Sequence, residues 1–144
     1  MVIGIGNPFR HDDAVGLEAV RLLSARGIEA RAHGGDLAGL IELWTGAQQV
    51  ILVDAVSSGA APGTLHWLDA SRTELPREVF RASTHVIGLA DAVELSRALG
   101  TLPERVLVFG VEAGDVSAGV GLTPAVERAL ATLVEEVAAC TSTR

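Results

Sequence analysis

The chain has 144 residues, with 18 Asp and Glu against 11 Lys and Arg and a net charge of -7. That length suits a single domain spanning residues 1–144, and the acidic balance argues against partners held by broad attraction to nucleic-acid backbones or anionic lipid. All 11 bases are arginine, which removes P-loop lysine and Schiff-base chemistry, and the one cysteine, Cys140, allows neither an internal disulfide nor a multi-cysteine zinc site.

Apolar runs predict strands at Val2 to Ile5, Ile28 to Ala32, Val50 to Val56, Thr64 to Leu68 and Arg105 to Val111. Between them, helices are expected from Asp12 or Asp13 to before Gly27, from Asp36 to Gly46, from a Ser83 or Thr84 cap to Gly100, and from Thr123 onward with Pro124 in the first turn. Their inward stripes are Val15, Ala19, Leu22 and Leu23; Leu37, Leu40, Ile41 and Trp44; Val86, Leu89, Ala90 and Val93; and Val126, Leu130, Leu133 and Val137. The alternation implies an α/β fold on a mostly parallel sheet. The connector Ser57 to Gly63 is too short for a helical crossover, so the strand after it runs antiparallel and the sheet is mixed. Gly110 to Gly121 reads as a mobile surface loop. With no charged leader and no apolar run of about 18 residues, a cytoplasmic location without membrane association is expected.

Three positions carry candidate chemistry. Strand one ends in Gly4-Ile5-Gly6-Asn7, yet Phe9 replaces the third glycine of a dinucleotide fingerprint, and Asp12 and Asp13 would repel a pyrophosphate. The pair looks more like a cation site than an anion site; helix capping is the structural alternative, but only one of the two can be the cap, which leaves its neighbour unexplained. Asp54 closes the most apolar strand of the chain and must be paired, protonated or open to a crevice; a turn bond to Ser57, Ser58 and Gly59 is the structural alternative. His85 is expected near a helix start, where the dipole keeps its ring neutral and able to ligate. Two carboxylates and one imidazole leave an open coordination position, as in catalytic metal sites.

The ordered set Gly4-x-Gly6-Asn7, Asp12-Asp13-x-x-Gly16, Val53-Asp54-Ala55 and His85-x-x-Gly88-Leu89 resembles the hydrogenase maturation endopeptidases. The similarity runs from about Val2 through Pro124 and includes Pro62-Gly63-Thr64, Val108-x-Gly110-Val111 and Gly121-Leu122-Thr123. It implies a three-layer α/β/α fold of phosphorylase/hydrolase-like type, its five-stranded mixed sheet in the order 2-1-3-5-4 with strand four antiparallel. The residues alone would instead pair Thr64 to Leu68 directly with Val50 to Val56. The resemblance further implies removal of a C-terminal extension from the large-subunit precursor of a nickel-iron hydrogenase, with Asp13, Asp54 and His85 binding a divalent metal ion. That ion is the precursor's nickel, with zinc or cadmium as substitutes; a monomer is favoured. Two departures stand out. Asp13 occupies a position where the family often has Glu, and His33-Gly34-Gly35-Asp36 replaces a common Asp-Gly-Gly.

Two mechanisms fit these ligands. In one, a bound ion activates water, with Asp12 or a nearby acid as base; in the other, the three residues recognise nickel already inserted in the precursor, and metallo- and aspartyl-protease chemistry both stay open. The alternatives are a non-catalytic nucleotide-binding or regulatory module and a same-fold peptidase acting on another protein.

Overall fold

A computed structural model describes residues 1–80 and 88–142. In chain order these form β1 (Val2–Ile5), a 3-10 turn (His11–Ala14), α1 (Val15–Ala25), β2 (Ala30–His33), α2 (Leu37–Trp44), β3 (Gln49–Val56), β4 (Leu65–Asp69), α3 (Leu89–Leu99), β5 (Arg105–Glu112) and α4 (Pro124–Ser142). The sheet order is β2-β1-β3-β5-β4. All pairings are parallel except β4 with β5, where Leu65 faces Val111 and Asp69 faces Leu107. The antiparallel fourth strand is as expected, but its neighbour is β5 rather than β3, because the 57–63 connector carries the chain past the slot that β5 fills.

Strand alternation divides the interior into two apolar layers. Ile51, Val53 and Ala55 of β3 and Phe109 and Val111 of β5 pack with Val15, Ala19 and Leu23 of α1 and Val126, Leu130, Leu133 and Val137 of α4. Val50, Leu52 and Val56 pack with Leu40 and Trp44 of α2 and Leu89, Ala90 and Val93 of α3 on the opposite face. Trp44 is fully buried, and its indole N–H donates to Ser96 Oγ of α3 at 2.9 Å, satisfying the one polar atom its burial would orphan. No helix among the described residues is long and apolar enough to cross a membrane.

Several boundaries move for identifiable reasons. Ile28 is not in a strand: its N–H bonds to Leu23 O and that of Gly27, at φ 79°, to Ser24 O. These bonds close α1 with a C-terminal cap, so β2 starts only at Ala30. The first helix enters through the 3-10 turn, whose start has no side-chain cap, so neither Asp12 nor Asp13 caps it. Asp36 does cap α2, accepting from Gly39 N at 2.9 Å. The third helix, as described, starts at Leu89 with Gly88 as its cap residue. The expected cap at Ser83 or Thr84, together with His85 and Val86, lies outside the described residues.

The 113–121 segment is not a free loop. Its residues bond across to the β1–α1 connection through Gly119 N to Phe9 O, His11 N to Gly119 O and Asp12 N to Asp115 O, all within 3.0 Å. Gly110 and Glu112, assigned to that loop from the sequence, belong to β5.

Candidate active site

The glycines of the first turn serve packing. A Cβ on Gly4 would lie 2.0 Å from Gly16 O, one on Gly6 2.0 Å from Asp13 O, and one on Gly16 2.5 Å from both Ile5 O and Val53 O. Only three hydrogen side chains allow the start of α1 to sit directly on β1 and β3. That approach brings Asp13 down to the carboxyl end of the sheet and uses up the space a phosphate would need.

Chain connections leave β1 and β3 in opposite directions, toward β2 and toward β5 and β4. The crevice between their carboxyl ends is thus the switch point where ligands gather in open α/β sheets. Asp13 and Asp54 both lie there, 1% and 2% exposed. Asp13 Oδ2 accepts from Asn7 N at 3.1 Å. Asp54 Oδ1 accepts from Ala55 N at 2.9 Å. Burial, and then the negative charge of Asp13, push the Asp54 carboxyl well above its ordinary range. The turn alternative for Asp54 does not occur: the acid that holds the 57–63 loop is Glu112, not Asp54. His85 is outside the described residues, and among the described residues no three metal-binding side chains come together. Ser57 N, just past β3, donates to Val79 O at 2.9 Å. Phe80 is buried in the α2/α3 layer, and its carbonyl lies 3.2 Å from where a Gly88 Cβ would sit.

Asp12 is not a helix cap. It is fully buried, and its oxygens accept from Gly114 N, Asp115 N, Thr123 N and Thr123 Oγ1 at 2.7 to 3.0 Å. Three of these donors meet Oδ2 and one meets Oδ1, so the side chain is held in place by backbone and hydroxyl groups of the 113–123 stretch. His11, next to it, adopts φ 42°, a left-handed conformation uncommon outside glycine, with its Nδ1 2.9 Å from Gly121 O. His33 ends β2 beside Gly6, and its Nδ1 accepts from Gly35 N at 2.9 Å, which puts the ring proton on Nε2, 3.5 Å from Asp36 Oδ1.

A cluster that sequence reading missed lies one strand further along the same sheet end. Glu112, 2% exposed, accepts from Ser58 N at 2.9 Å and from the Ser58 hydroxyl, and its Oε1 is 3.2 Å from His66 Nε2. Burial pushes this carboxyl up, but the Ser58 bonds and His66 outweigh it and hold the group below its ordinary value. No pattern in the sequence links positions 58, 66 and 112; only the insertion of β5 between β3 and β4 does.

Comparison with known proteins assigns this architecture to a class. A family model described as hydrogenase maturation protease matches residues 28–140, which include Asp54 but not Asp13. The hydrogenase 2 maturation protease of Escherichia coli (strain K12) is 33% identical over 147 residues, covering 96% of this chain and 88% of the relative. The hydrogenase expression/formation protein HupM of Azotobacter chroococcum mcd 1 is 31% identical over 151 residues, covering 94% and 71%. Among solved structures, the hydrogenase maturating endopeptidase HybD from E. coli superposes with a TM-score of 0.79 at 28% identity, covering 96% of this chain and 89% of that one. The class is therefore that of α/β endopeptidases, which are hydrolases. The chain belongs to the hydrogenase maturation protease family.

Proposed function

We propose that this single-domain endopeptidase removes the C-terminal extension of a nickel-iron hydrogenase large-subunit precursor, and that Asp13, Asp54 and His85 grip the nickel already inserted in that substrate. The observation that carries the reading is the pair of buried carboxylates at the switch point, where the charge of Asp13 already disfavours ionisation of Asp54. Two buried acids sharing a crevice fit a divalent cation, because a cation offsets the burial and mutual repulsion that oppose ionising both. His85, three residues before Gly88 in the chain, supplies the borderline nitrogen donor that favours nickel, zinc or cadmium over magnesium.

Burial and the charge of Asp13 oppose ionisation of Asp54, and a cation in the crevice offsets that opposition, which ties the ionised pair to a loaded precursor. Asp13, Asp54 and His85 would hold such an ion, which would supply Lewis-acid chemistry at the scissile carbonyl. With Asp12 committed to its four donors, the proton acceptor in a metal-assisted cleavage is sought among the two site carboxylates, and aspartyl-type participation of Asp54 fits the same geometry. The nucleotide-binding alternative loses its structural basis, since the glycine turn is filled by the backbone of α1.

The test is incubation with nickel-loaded and nickel-free precursor. Release of one C-terminal peptide from the loaded form alone is expected, with casein left intact. Equal cleavage of both forms would discard nickel recognition while keeping the peptidase; no cleavage of either would discard this substrate.

A further inference from the structure

The β1–α1 connection and the 113–121 segment form one clasped shelf next to Asp13. Its backbone is held by the bonds between Phe9, His11 and Gly119, by His11 Nδ1 on Gly121 O, and by the four donors on Asp12. The shelf is tied to the site as well: Phe9 N donates to Asn7 Oδ1 at 2.9 Å, and Asn7 N donates to Asp13. On this rigid support two large apolar side chains stand in solvent, Phe9 at 68% and Val120 at 77% exposure, on either side of the Phe9–Gly119 hydrogen bond. Single exposed apolar residues are ordinary, but a pair held by ordered backbone beside a protease site needs an explanation.

Arg10 lies between them in sequence. Arg21, Arg26, Arg31, Arg72, Arg77 and Arg97 each lie within 4.0 Å of a carboxylate. Arg10, like Arg105 and Arg128, makes no ion pair among the described residues; it differs from them in that its Nη1 is buried without a hydrogen-bond partner. In a chain of net charge -7, an uncommitted guanidinium is a specific invitation to an anion, and arginine pairs with carboxylate through two parallel bonds.

We propose that Phe9, Arg10 and Val120 are the docking surface for the folded precursor, which brings an apolar side chain onto Phe9 and Val120 and a carboxylate onto Arg10. This rests on the proposed substrate and names the surface that selects it. Because the shelf is ordered before binding, little conformational entropy is lost when it is covered, and aromatic and arginine side chains dominate contacts of this kind. The shelf sets the scissile junction against Asp13 through the Phe9–Asn7–Asp13 hydrogen bonds.

Steady-state cleavage of nickel-loaded precursor tests it. The Phe9→Ser/Val120→Ser double variant is expected to raise KM at least tenfold while kcat changes less than threefold. Arg10→Gln is expected to raise KM about fivefold and to abolish most of its salt dependence, which a purely structural role would not alter. Leu99→Ser, 61% exposed at the far end of α3, serves as control and keeps wild-type constants. A double variant with wild-type KM, or a loss confined to kcat, overturns the proposal. So does a wild-type dimer that the double variant dissociates, because the shelf would then be covered by a second copy. If wild type cleaves no precursor, the failure belongs to the proposed reaction; interferometry of uncleaved precursor on wild type and double variant then decides the shelf, equal affinities overturning it.

Discussion

Asp12 and Asp13 are adjacent in sequence and have opposite work. Asp12 accepts four hydrogen bonds from residues more than 100 positions away. Asn in its place would turn an amide toward N–H donors and leave buried groups unsatisfied, at about 1–3 kcal/mol. Asp12→Asn is expected to melt well below wild type and to lose amide exchange protection at Gly114, Asp115 and Thr123; unchanged protection would contradict the clasp. Asp13→Asn should stay folded and be inactive. Asp54 makes the reverse prediction for stability. Its folded pKa lies above the ordinary 3.8, so ionising it costs the fold increasingly as pH rises through that raised value, and the cost vanishes below 3.8. Asp54→Asn removes it: the metal-free variant should be more stable than wild type at pH 7, equally stable near pH 3, and catalytically dead. Thermal scans at the two pH values check this.

At the scale of elements, the contact of α1 with β1 and β3 sets the site, and it depends on Gly16. A methyl there meets two strand carbonyls at 2.5 Å, neither able to move without breaking sheet bonds. Gly16→Ala should therefore cost about 1–3 kcal/mol and displace the 3-10 turn that carries Asp13, losing cleavage as well; a variant with wild-type melting and activity would show that α1 does not position the acid. Glu112 joins β5, β4 through His66 and the 57–63 connector through Ser58. Since its folded pKa is depressed, the stability it adds is complete above the ordinary 4.5 and disappears as pH falls through the lower folded value. Wild type should exceed Glu112→Gln in stability at pH 7, with the gap closing in acid; a gap that persists at pH 2 would assign the difference to packing.

For the molecule as a whole, the two apolar layers hold the sheet while its carboxyl end buries acids that oppose one another. A cation that binds only the folded crevice must then stabilise the entire chain by mass action, about 2.7 kcal/mol at a hundredfold excess over Kd. Under the proposed ligand set, cadmium or zinc raises the Tm of wild type by several degrees and leaves that of His85→Ala nearly unmoved. A His85→Ala shift equal to wild type would remove His85 from the site.

Much was legible in the sequence because strand and helix periodicity are local properties: all five strands and the isolation of Asp54 at the end of an apolar run could be read without partners. The family motif, an ordered set of short segments, pointed to the class of enzyme on the same basis. Which strand neighbours which is not local. The slot between β3 and β4 is filled by residues about 50 positions downstream of β3, and so the Ser58–Glu112–His66 cluster, the clasp on Asp12 and the shelf beneath Phe9 existed only once the sheet had closed. Asp12 looked like a helix cap because capping is the commonest local use of such an acid; Gly114, Asp115 and Thr123 reach it only in the folded chain, and four donors outcompete one backbone N–H.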